Sequence, residues 1–264
     1  MDSHNSRPAD TEGIRCEIDG PVATVVISNP ERKNAIDEAM WGELAAQFRW
    51  LAGSGDVRVV VLTGDGSDFC SGADLAAGGD AHWLARMRYV NQAALALHDI
   101  PQPTIARVDG VAVGAGFSLA LGCDLLLASE RARFSEIFAR RGLSLDLGSS
   151  WLLPRRIGLQ RAKELSLLAP IIDAEEAERI GLVNRVVPVE ELDALVAEWA
   201  ADLASGPPIA LAQTKSLLDA AGTSTLAEAL EAEAAAQTIN FGSEDTVEAI
   251  TAFLEKREPT YRGR

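Results

Sequence analysis

The chain has 264 residues, of which 47% are apolar and 24% are charged, as in globular proteins with a sizeable core. Its formal net charge is −15 at pH 7, and its sequence pI is about 4.6. Nucleic acids and anionic membrane surfaces both attract a basic face, so this charge argues against either as a partner.

The start of the chain and its cysteines indicate the compartment. The first residues, MDSHNSRPADTEG, are polar and lack the apolar run of a secretory signal peptide. The three cysteines, Cys16, Cys70 and Cys123, are far apart and favour a reducing compartment. The sequence contains no run of about 18 apolar residues, so no membrane-spanning helix is predicted. We therefore expect a cytoplasmic protein in which residues 1–12 form a disordered tail.

Strand and helix patterns alternate through the first part of the chain. The stretch IRCEIDGPVATVVIS predicts two strands joined in a hairpin at residues 19–20. Helical spacing of apolar residues covers 36–52, and the β-branched run VRVVVLTG predicts a buried strand. A second helix is predicted over 81–98. It ends there because the prolines that follow closely disfavour helical backbone before them.

The same alternation then continues with TIARVDG and DLLLAS as further strands, separated by a glycine-rich turn and a short helix. From about residue 149 the pattern is helical, apart from a short strand over 181–187. This order predicts an α/β protein with a parallel core. No stretch has the composition of a linker, so we expect one core over 13–200 and a helical C-terminal region over 201–264.

The glycine-rich segment VGAGFSLALGCD does not fit a dinucleotide-binding motif. Leu119 stands where the third glycine of that motif would be, and Asp124 follows too soon to reach a ribose. The scattered histidines and cysteines offer no ligand spacing for a metal ion, and none is predicted.

A serine hydrolase is a closer alternative. The sequence GFSLA differs by one residue from the G-x-S-x-G turn, but the histidine of α/β-hydrolases follows the serine. Here His4, His82 and His98 all precede Ser118. A triad in another order, with His82 or His98, remains open.

Two turns point to a different chemistry. FCSGADL (69–75) and GVAVGAGFSLA (110–120) each follow a strand and each present free N–H groups beside a helix start. Two such donors on one carbonyl oxygen would form an oxyanion hole. Glycines in these turns are equally compatible with simple turn formation.

Several segments, taken together, resemble the crotonase superfamily, also called the enoyl-CoA hydratase/isomerase family. They are NPERKNAID, FCSGADL, PTIARVDGVAVGAGFSLALGCDLLLAS, RFSEIFARRGLSLDLGSSWLLPRRIG and EAERIGLVNRVVP. The resemblance implies a spiral of repeated ββα units with a helical C-terminal trimerisation region, and assembly as a homotrimer or dimer of trimers. It also implies an acyl-CoA thioester substrate, with no separate cofactor, and an enolate bound by the N–H groups of Ala73 and Ala115.

The resemblance also locates the acid/base positions. Family hydratases carry two glutamates, and here Ser118 and Phe138 stand at the matching positions. A shift of register would bring Glu136 to the second position, but RRGL fixes the register against it. In several isomerases and dehalogenases of the family an aspartate matching Asp146 is catalytic, and DLGSSWLLPR resembles the phenylacetyl-CoA-pathway isomerases. An N-cap role for Asp146 remains open.

The remaining candidates surround the substrate. We expect Ser118, Phe138 and Trp151 in the acyl pocket, with His82, Trp83 and Met87 in its variable wall. The resemblance implies that the CoA moiety lies near two groups of residues: Arg32, Lys33, Ala35, Asp74 and Leu75 in the first half of the chain, and Lys256 and Arg257 at its end.

These observations favour an acyl-CoA isomerase, because a 1,3-proton shift needs one carboxylate whereas hydration needs two groups. Asp146 would be its acid/base. The alternatives are a hydratase or acyl-CoA hydrolase that uses Asp146 on water, with Ser118 as a hydrogen-bonding partner, and an inactive acyl-CoA-binding protein. The sequence does not identify the acyl chain.

Overall fold

Two β-sheets form the framework of the molecule, and the computed structural model describes it over residues 6–74 and 82–264. The larger sheet has the order β1-β2-β3-β4-β6-β9 and the smaller has the order β5-β7-β8. The strands are β1 Ile14–Asp19, β2 Val22–Ile27, β3 Val59–Gly64, β4 Thr104–Val108, β5 Val111–Val113, β6 Leu125–Ser129, β7 Arg133–Ser135, β8 Ile172–Asp173 and β9 Arg185–Val187.

The larger sheet begins with the predicted hairpin and continues in parallel. β1 and β2 pair antiparallel, with Ile14 opposite Ile27 and Gly20 in the turn at a φ of +54°. Each later strand of this sheet pairs parallel with the strand before it, from β2·β3 to β6·β9. The alternating pattern of the sequence therefore correctly predicted a parallel α/β core.

The smaller sheet makes the fold a spiral. β4 is followed at once by β5 and β6 by β7, so each of these two turns contributes one strand to each sheet. β5 and β7 pair parallel, and Cys70, which follows β3, forms a parallel bridge to Ala112. Successive turns thus stack in chain order, which is the predicted repetition of ββα units.

The helices cover the sheets and extend beyond them. They are α1 Glu38–Ala52, α2 Trp83–His98, α3 Ala115–Gly122, α4 Ser149–Leu168, α5 Ala174–Arg179, α6 Leu192–Ser205, α7 Pro208–Ala221, α8 Leu226–Phe241 and α9 Glu244–Glu255. Short 3₁₀ turns lie at Pro30–Arg32, Ile137–Arg141 and Val189–Glu191.

Both faces of β3 are buried, as its uninterrupted β-branched sequence predicts. Val60 and Leu62 enter the main core with α1, α2 and α3. Val59 and Val61 face the other way and pack with Val196 and other apolar residues of α6. Helix α6, which ends at Ser205, thus packs on the larger sheet and belongs to the core.

The last three helices form the C-terminal region and leave large apolar side chains exposed. Helix α7 contains no buried residue, and α9 exposes Phe253 at 82% and Leu254 at 74%. Apolar side chains are seldom exposed in such large numbers on one surface of a monomer. Surfaces of this kind often mark sites of contact with another protein.

The start of the chain corrects one prediction. Asp10 Oδ1 accepts a hydrogen bond from the Cys16 N–H at 2.9 Å, and Arg7 pairs with Asp10 at 3.0 Å. The Thr11 hydroxyl donates to Glu43 at 2.7 Å. Residues 7–12 are therefore attached to β1 and α1 and are not a disordered tail, while residues 1–5 lie outside the described part of the chain.

Within the described residues, none of the helices combines the length and hydropathy needed to cross a bilayer. Over the same ranges, no group of three or more histidine, cysteine, aspartate or glutamate side chains is arranged to hold a metal ion.

Candidate active site

The two glycine-containing turns singled out in the sequence lie against each other. Gly72 has a φ of +102°, and a Cβ atom there would lie 2.9 Å from the Val113 carbonyl oxygen and 3.3 Å from the Ala115 nitrogen. A Cβ atom on Gly116 would lie 2.2 Å from the Cys70 carbonyl oxygen. The backbones approach so closely that only glycine fits at these positions.

Hydrogen bonds fix the direction of the Ala73 N–H group. The Ile36 N–H donates to the Gly72 carbonyl at 2.9 Å, and the Asp74 N–H donates to the Ile36 carbonyl at 2.8 Å. In an extended chain, successive N–H groups point to opposite sides. The Ala73 N–H therefore points away from Ile36, and it has no backbone acceptor among the described residues.

The second N–H group lies at the start of α3. Gly114, at φ +56° and ψ −128°, precedes the helix, and its carbonyl accepts from the Ser118 N–H at 2.9 Å. Ala115 is the first helical residue, so its N–H has no partner within the helix. Two N–H groups from adjacent turns, one of them at a positive helix end, suit a developing negative charge.

A cavity of about 930 Å³ opens beside these turns. Its wall is largely apolar, with a few polar groups, as in most small-molecule sites. The lining residues used below are Ala73, Asp74, Trp83, Met87, His98, Ser118, Phe138, Asp146 and Trp151.

Two carboxyl groups among the described residues line this cavity, and they differ in their surroundings. Asp74 forms an ion pair with Arg32. Asp146 Oδ1 is buried and has no hydrogen-bond partner in the described part of the chain. Burial raises the pKa of Asp146 to about 6, because desolvation penalises the charged form. Asp146 is thus poised to exchange a proton near neutral pH.

The backbone around Asp146 argues against a capping role. Gly148 is the N-cap of α4, and no side chain caps that helix end. Leu147 and Gly148 adopt φ angles of +48° and +84°. A leucine in the left-handed region is strained, and such strain often accompanies functional turns. The alternative that Asp146 serves as the N-cap of α4 is therefore wrong.

Comparison with known proteins decides the family. The family model described as enoyl-CoA hydratase/isomerase matches residues 17–264. The chain belongs to the enoyl-CoA hydratase/isomerase family. The predicted crotonase-type fold is confirmed with it.

Curated relatives of similar length carry two kinds of name. A "probable enoyl-CoA hydratase" from Rhodobacter capsulatus is 39% identical over 255 residues, which cover 95% of this chain and 98% of the relative. The 1,2-epoxyphenylacetyl-CoA isomerase of Escherichia coli K12 is 35% identical over 260 residues, covering 96% and 99%. Relatives thus include both a hydratase and an isomerase.

Solved structures share the fold over nearly the whole chain. An enoyl-CoA hydratase from Bacillus anthracis superposes with a TM-score of 0.91 at 31% identity, covering 96% of this chain and 100% of that one. A provisionally assigned enoyl-CoA hydratase from Thermobifida fusca YX in complex with acetoacetyl-CoA gives a TM-score of 0.81 at 38% identity, covering 88% and 95%.

Ser118 and Phe138, which the family resemblance matches to the glutamates of hydratases, both line the cavity. The buried Ser118 hydroxyl donates to the Gly114 carbonyl at 3.2 Å. The Phe138 ring lies near Gly114, since a Cβ atom there would be 3.9 Å from its Cζ. Neither side chain can accept a proton at neutral pH.

Of the four other predicted pocket residues, three line the cavity: Trp83, Met87 and Trp151. The Trp151 ring packs edge-on against His98 at 5.8 Å, and the Arg155 guanidinium lies 3.7 Å from the Trp151 ring centroid. His82 corrects the prediction for the fourth. Its exposed ring caps α2, where Nδ1 accepts from the Leu84 N–H at 3.2 Å, and it lies outside the cavity wall.

The CoA candidates of the first half of the chain border the Ala73 turn. Arg32 pairs with Asp74, and Lys33 Nζ lies 3.9 Å from Asp68. Ala35 is buried, next to the bridge that joins Ile36 to Ala73. Leu75 lies outside the described residues.

The C-terminal candidates lie away from the cavity wall. Lys256 ends α9 in a left-handed conformation. The Arg257 guanidinium donates to both oxygens of Glu248, at 2.5 and 2.9 Å. Arg257 thus has a structural partner within the chain.

Sequence reasoning missed two residues that shape the site. Asn34 is fully buried, and its Nδ2 donates to the Asp65 carbonyl at 2.9 Å and the Asp68 carbonyl at 2.6 Å. It thereby holds the loop before α1 against the loop that follows β3. His98, considered only for a serine triad, contributes to the cavity wall. The spacing of apolar residues predicts helix α2, but it does not indicate which face of the helix lines a cavity.

Proposed function

We propose that the protein is an acyl-CoA isomerase that shifts a double bond through an enolate. The observation that carries the proposal is the buried, unpartnered oxygen of Asp146, in a cavity wall that also contains the Ala73 turn. The names of the relatives support a CoA thioester as the substrate.

The thioester oxygen is held by the N–H groups of Ala73 and Ala115. Each well-placed donor of this kind stabilises a developing oxyanion by roughly 3 kcal/mol. Charge moves onto this oxygen when a proton leaves the adjacent carbon, so both donors favour the enolate over the bound substrate.

Asp146 performs both proton transfers. Its carboxylate takes a proton from one carbon of the acyl chain, and the electrons of that C–H bond pass into the enolate. The protonated Asp146 then returns a proton to a carbon two positions away, and the double bond moves. A pKa of about 6 suits both steps, because the group is ionised at neutral pH yet basic enough to accept a proton.

Arg32 and Lys33 lie beside the Ala73 turn and bind the phosphates of the CoA moiety. The acyl chain extends into the apolar wall of Trp83, Met87 and Trp151. Lys256 and Arg257 reach a CoA moiety only in a neighbouring copy of the chain. The protein therefore assembles as a homotrimer or a dimer of trimers, for which the exposed apolar side chains of α7 to α9 provide the surface.

The second candidate is a hydratase or hydrolase in which Asp146 activates water, and it is favoured by the name of the Rhodobacter capsulatus relative. Ser118 is a poor partner for that chemistry, because its hydroxyl is bound to the Gly114 carbonyl. A protein that binds acyl-CoA without turnover is the third candidate.

The experiment combines a substrate panel with Asp146→Asn. We expect the wild type to isomerise one of the 3-enoyl-, 2-enoyl- or arylacetyl-CoA thioesters and to exchange its α-proton with deuterated water. Asp146→Asn should lower both rates by about two to four powers of ten, because the exchangeable base is removed.

The matched control is Asp173→Asn, at an aspartate that does cap a helix. Asp173 Oδ1 accepts from the Glu176 N–H at 2.9 Å, and asparagine caps about as well as aspartate. We expect this variant to keep full activity. Proton exchange that survives in Asp146→Asn would end the mechanism, and acyl-CoA binding without exchange in the wild type would favour the inactive protein.

A further inference from the structure

A second carboxyl group, that of Glu136, is buried within reach of the charge of Asp146. Glu136 has an exposure of 0%, and neither of its oxygens has a hydrogen-bond partner in the described part of the chain. It lies outside the cavity wall to which Asp146 contributes. Ser149 Oγ, at the start of α4, is also buried. An unpaired buried carboxyl is costly, so its retention calls for a reason.

Glu136 has no visible structural role. It lies between β7 and the 3₁₀ turn Ile137–Arg141, at a position where a side chain could cap that turn, but it makes no capping hydrogen bond. A glutamine or an apolar residue would fill the same space without a charge.

The surroundings of Glu136 offer no positive charge among the described residues. On its own segment, Arg133, Arg140 and Arg141 are exposed. Helix α3 contains no ionisable side chain. On α4 the Ser149 hydroxyl interacts with Glu136, while Arg156 donates to the Leu121 carbonyl at 3.0 Å.

The charged form of Glu136 is therefore disfavoured. Burial, and then the negative charge of Asp146, raise the pKa of Glu136 to about 8, and the Ser149 hydroxyl has a smaller opposing influence. Asp146 faces the cavity and titrates near 6. Between these values the two carboxyl groups together carry one proton and one negative charge.

We propose that Glu136 is a buried neutral carboxylic acid and acts as the positioning residue that controls the proton held at Asp146. The inference rests on the proposed function in one respect, that Asp146 is the catalytic base. Glu136 itself touches neither substrate nor solvent.

The proton balance follows from this arrangement. During turnover Glu136 stays protonated, and the travelling proton moves only between the substrate carbon and Asp146. When Glu136 loses its proton to alkaline solvent, a second negative charge appears beside Asp146. That charge raises the pKa of Asp146, so the carboxyl holds its proton more tightly and returns it more slowly. Activity should therefore fall as Glu136 ionises.

The first test is an infrared titration of the wild-type protein without any substrate. We expect the carbonyl stretch of a protonated carboxyl at pH 7, sensitive to deuterated water, which disappears with a midpoint near pH 8. The band should persist in Asp146→Asn and be missing from Glu136→Gln. Absence of the band from the wild type at pH 7 would overturn the proposal, whatever reaction the enzyme catalyses.

The second test is the pH profile of kcat for Glu136→Gln. Glutamine imitates the neutral acid, so activity at pH 7 should stay within about threefold of the wild type, whereas Asp146→Asn loses about two to four powers of ten. The wild-type profile should bend downwards near pH 8, and the Glu136→Gln profile should not. An unchanged bend in the variant, or a loss at pH 7 as large as that of Asp146→Asn, would refute the positioning role.

Discussion

At the residue scale, the reaction depends on which carboxyl group is left without a partner. The sequence contains 39 aspartate and glutamate residues, so residue type alone identifies no base. Asp74 also borders the cavity but is neutralised by Arg32. Asp146 is half-buried, its Oδ1 is buried without a partner in the described part of the chain, and its pKa is raised. These properties distinguish a proton-transfer group from a surface carboxylate.

The same reasoning predicts weak hydration. Addition of water to crotonyl-CoA needs one group to activate water and another to supply a proton, and the family resemblance places Ser118 and Phe138 where hydratases carry these two glutamates. We expect a hydration rate at least about two powers of ten below the isomerisation rate of the same preparation. The hydration rate is measured from the loss of absorbance of the enoyl thioester, with an authentic hydratase assayed in parallel for comparison. Hydration comparable to that enzyme would require a second proton donor.

At the element scale, the site depends on the contact between the Gly72 turn and the start of α3. This contact positions both N–H groups, and it exists because glycines remove the Cβ atoms that would separate the two backbones. Parallel pairing of Cys70 with Ala112 aligns the turns, with the Cys70 N–H donating to the Val111 carbonyl at 2.8 Å.

Gly116→Ala should therefore damage both the fold and the proposed oxyanion hole. Its new Cβ atom would lie 2.2 Å from the Cys70 carbonyl oxygen, so one turn must move. We expect a loss of about 1–3 kcal/mol of unfolding free energy and a fall in kcat larger than the change in KM. Denaturant unfolding and steady-state kinetics measure the two effects.

Gly55→Ala provides the matched control, because nothing lies within 4 Å of a Cβ atom at that position. It should change neither stability nor kcat appreciably. Full activity in Gly116→Ala would mean that the two turns do not cooperate in binding the oxyanion.

At the scale of the whole molecule, the buried carboxyl groups link stability to pH. The pKa of Glu136 rises from 4.5 to about 8 on folding, and that of Asp146 rises from 3.8 to about 6. An acid with a raised pKa binds more protons in the folded state than in the unfolded state. Its contribution to stability is therefore complete below the unfolded pKa and declines as pH rises to the folded pKa.

We expect the unfolding free energy of the wild type to decline between about pH 4.5 and pH 8, with Glu136 accounting for on the order of 3–5 kcal/mol. Glu136→Gln should flatten this decline, because glutamine does not titrate. Glu198→Gln, at an exposed carboxyl of α6, is the control and should leave the slope unchanged. Denaturant titrations across this pH range measure the slope, and equal slopes in wild type and Glu136→Gln would contradict the prediction.

The C-terminal helices lead to a prediction about assembly. We expect the wild type to elute as three or six copies at micromolar concentration, because α9 exposes Phe253 and Leu254 almost completely. Phe253→Glu should reduce the mass measured by light scattering, since burial of a new charge is unfavourable. The control Ile18→Glu, at an exposed position on β1, should leave the measured mass unchanged. A stable wild-type monomer would contradict the assembly.

The sequence by itself determined the fold class and the family, and it indicated candidate positions for the site. Uninterrupted β-branched runs such as β3 predict buried parallel strands, and the Asp19–Gly20 turn predicts the hairpin, because both signals are local. The family motifs are also local strings, so they located Ala73, Ala115 and Asp146 before any contact was known. They could not show whether Asp146 capped α4.

Only the tertiary structure decided which groups meet and which are left unpaired. The approach of Gly72 to Ala115, the pairing of Asp74 with Arg32 and the isolation of Glu136 each depend on residues from different segments. The motif register assigned Glu136 no role, and the helical pattern gave no sign that His82 would cap α2. Burial and pairing are properties of the assembled chain, because desolvation of a carboxyl depends on every element packed around it.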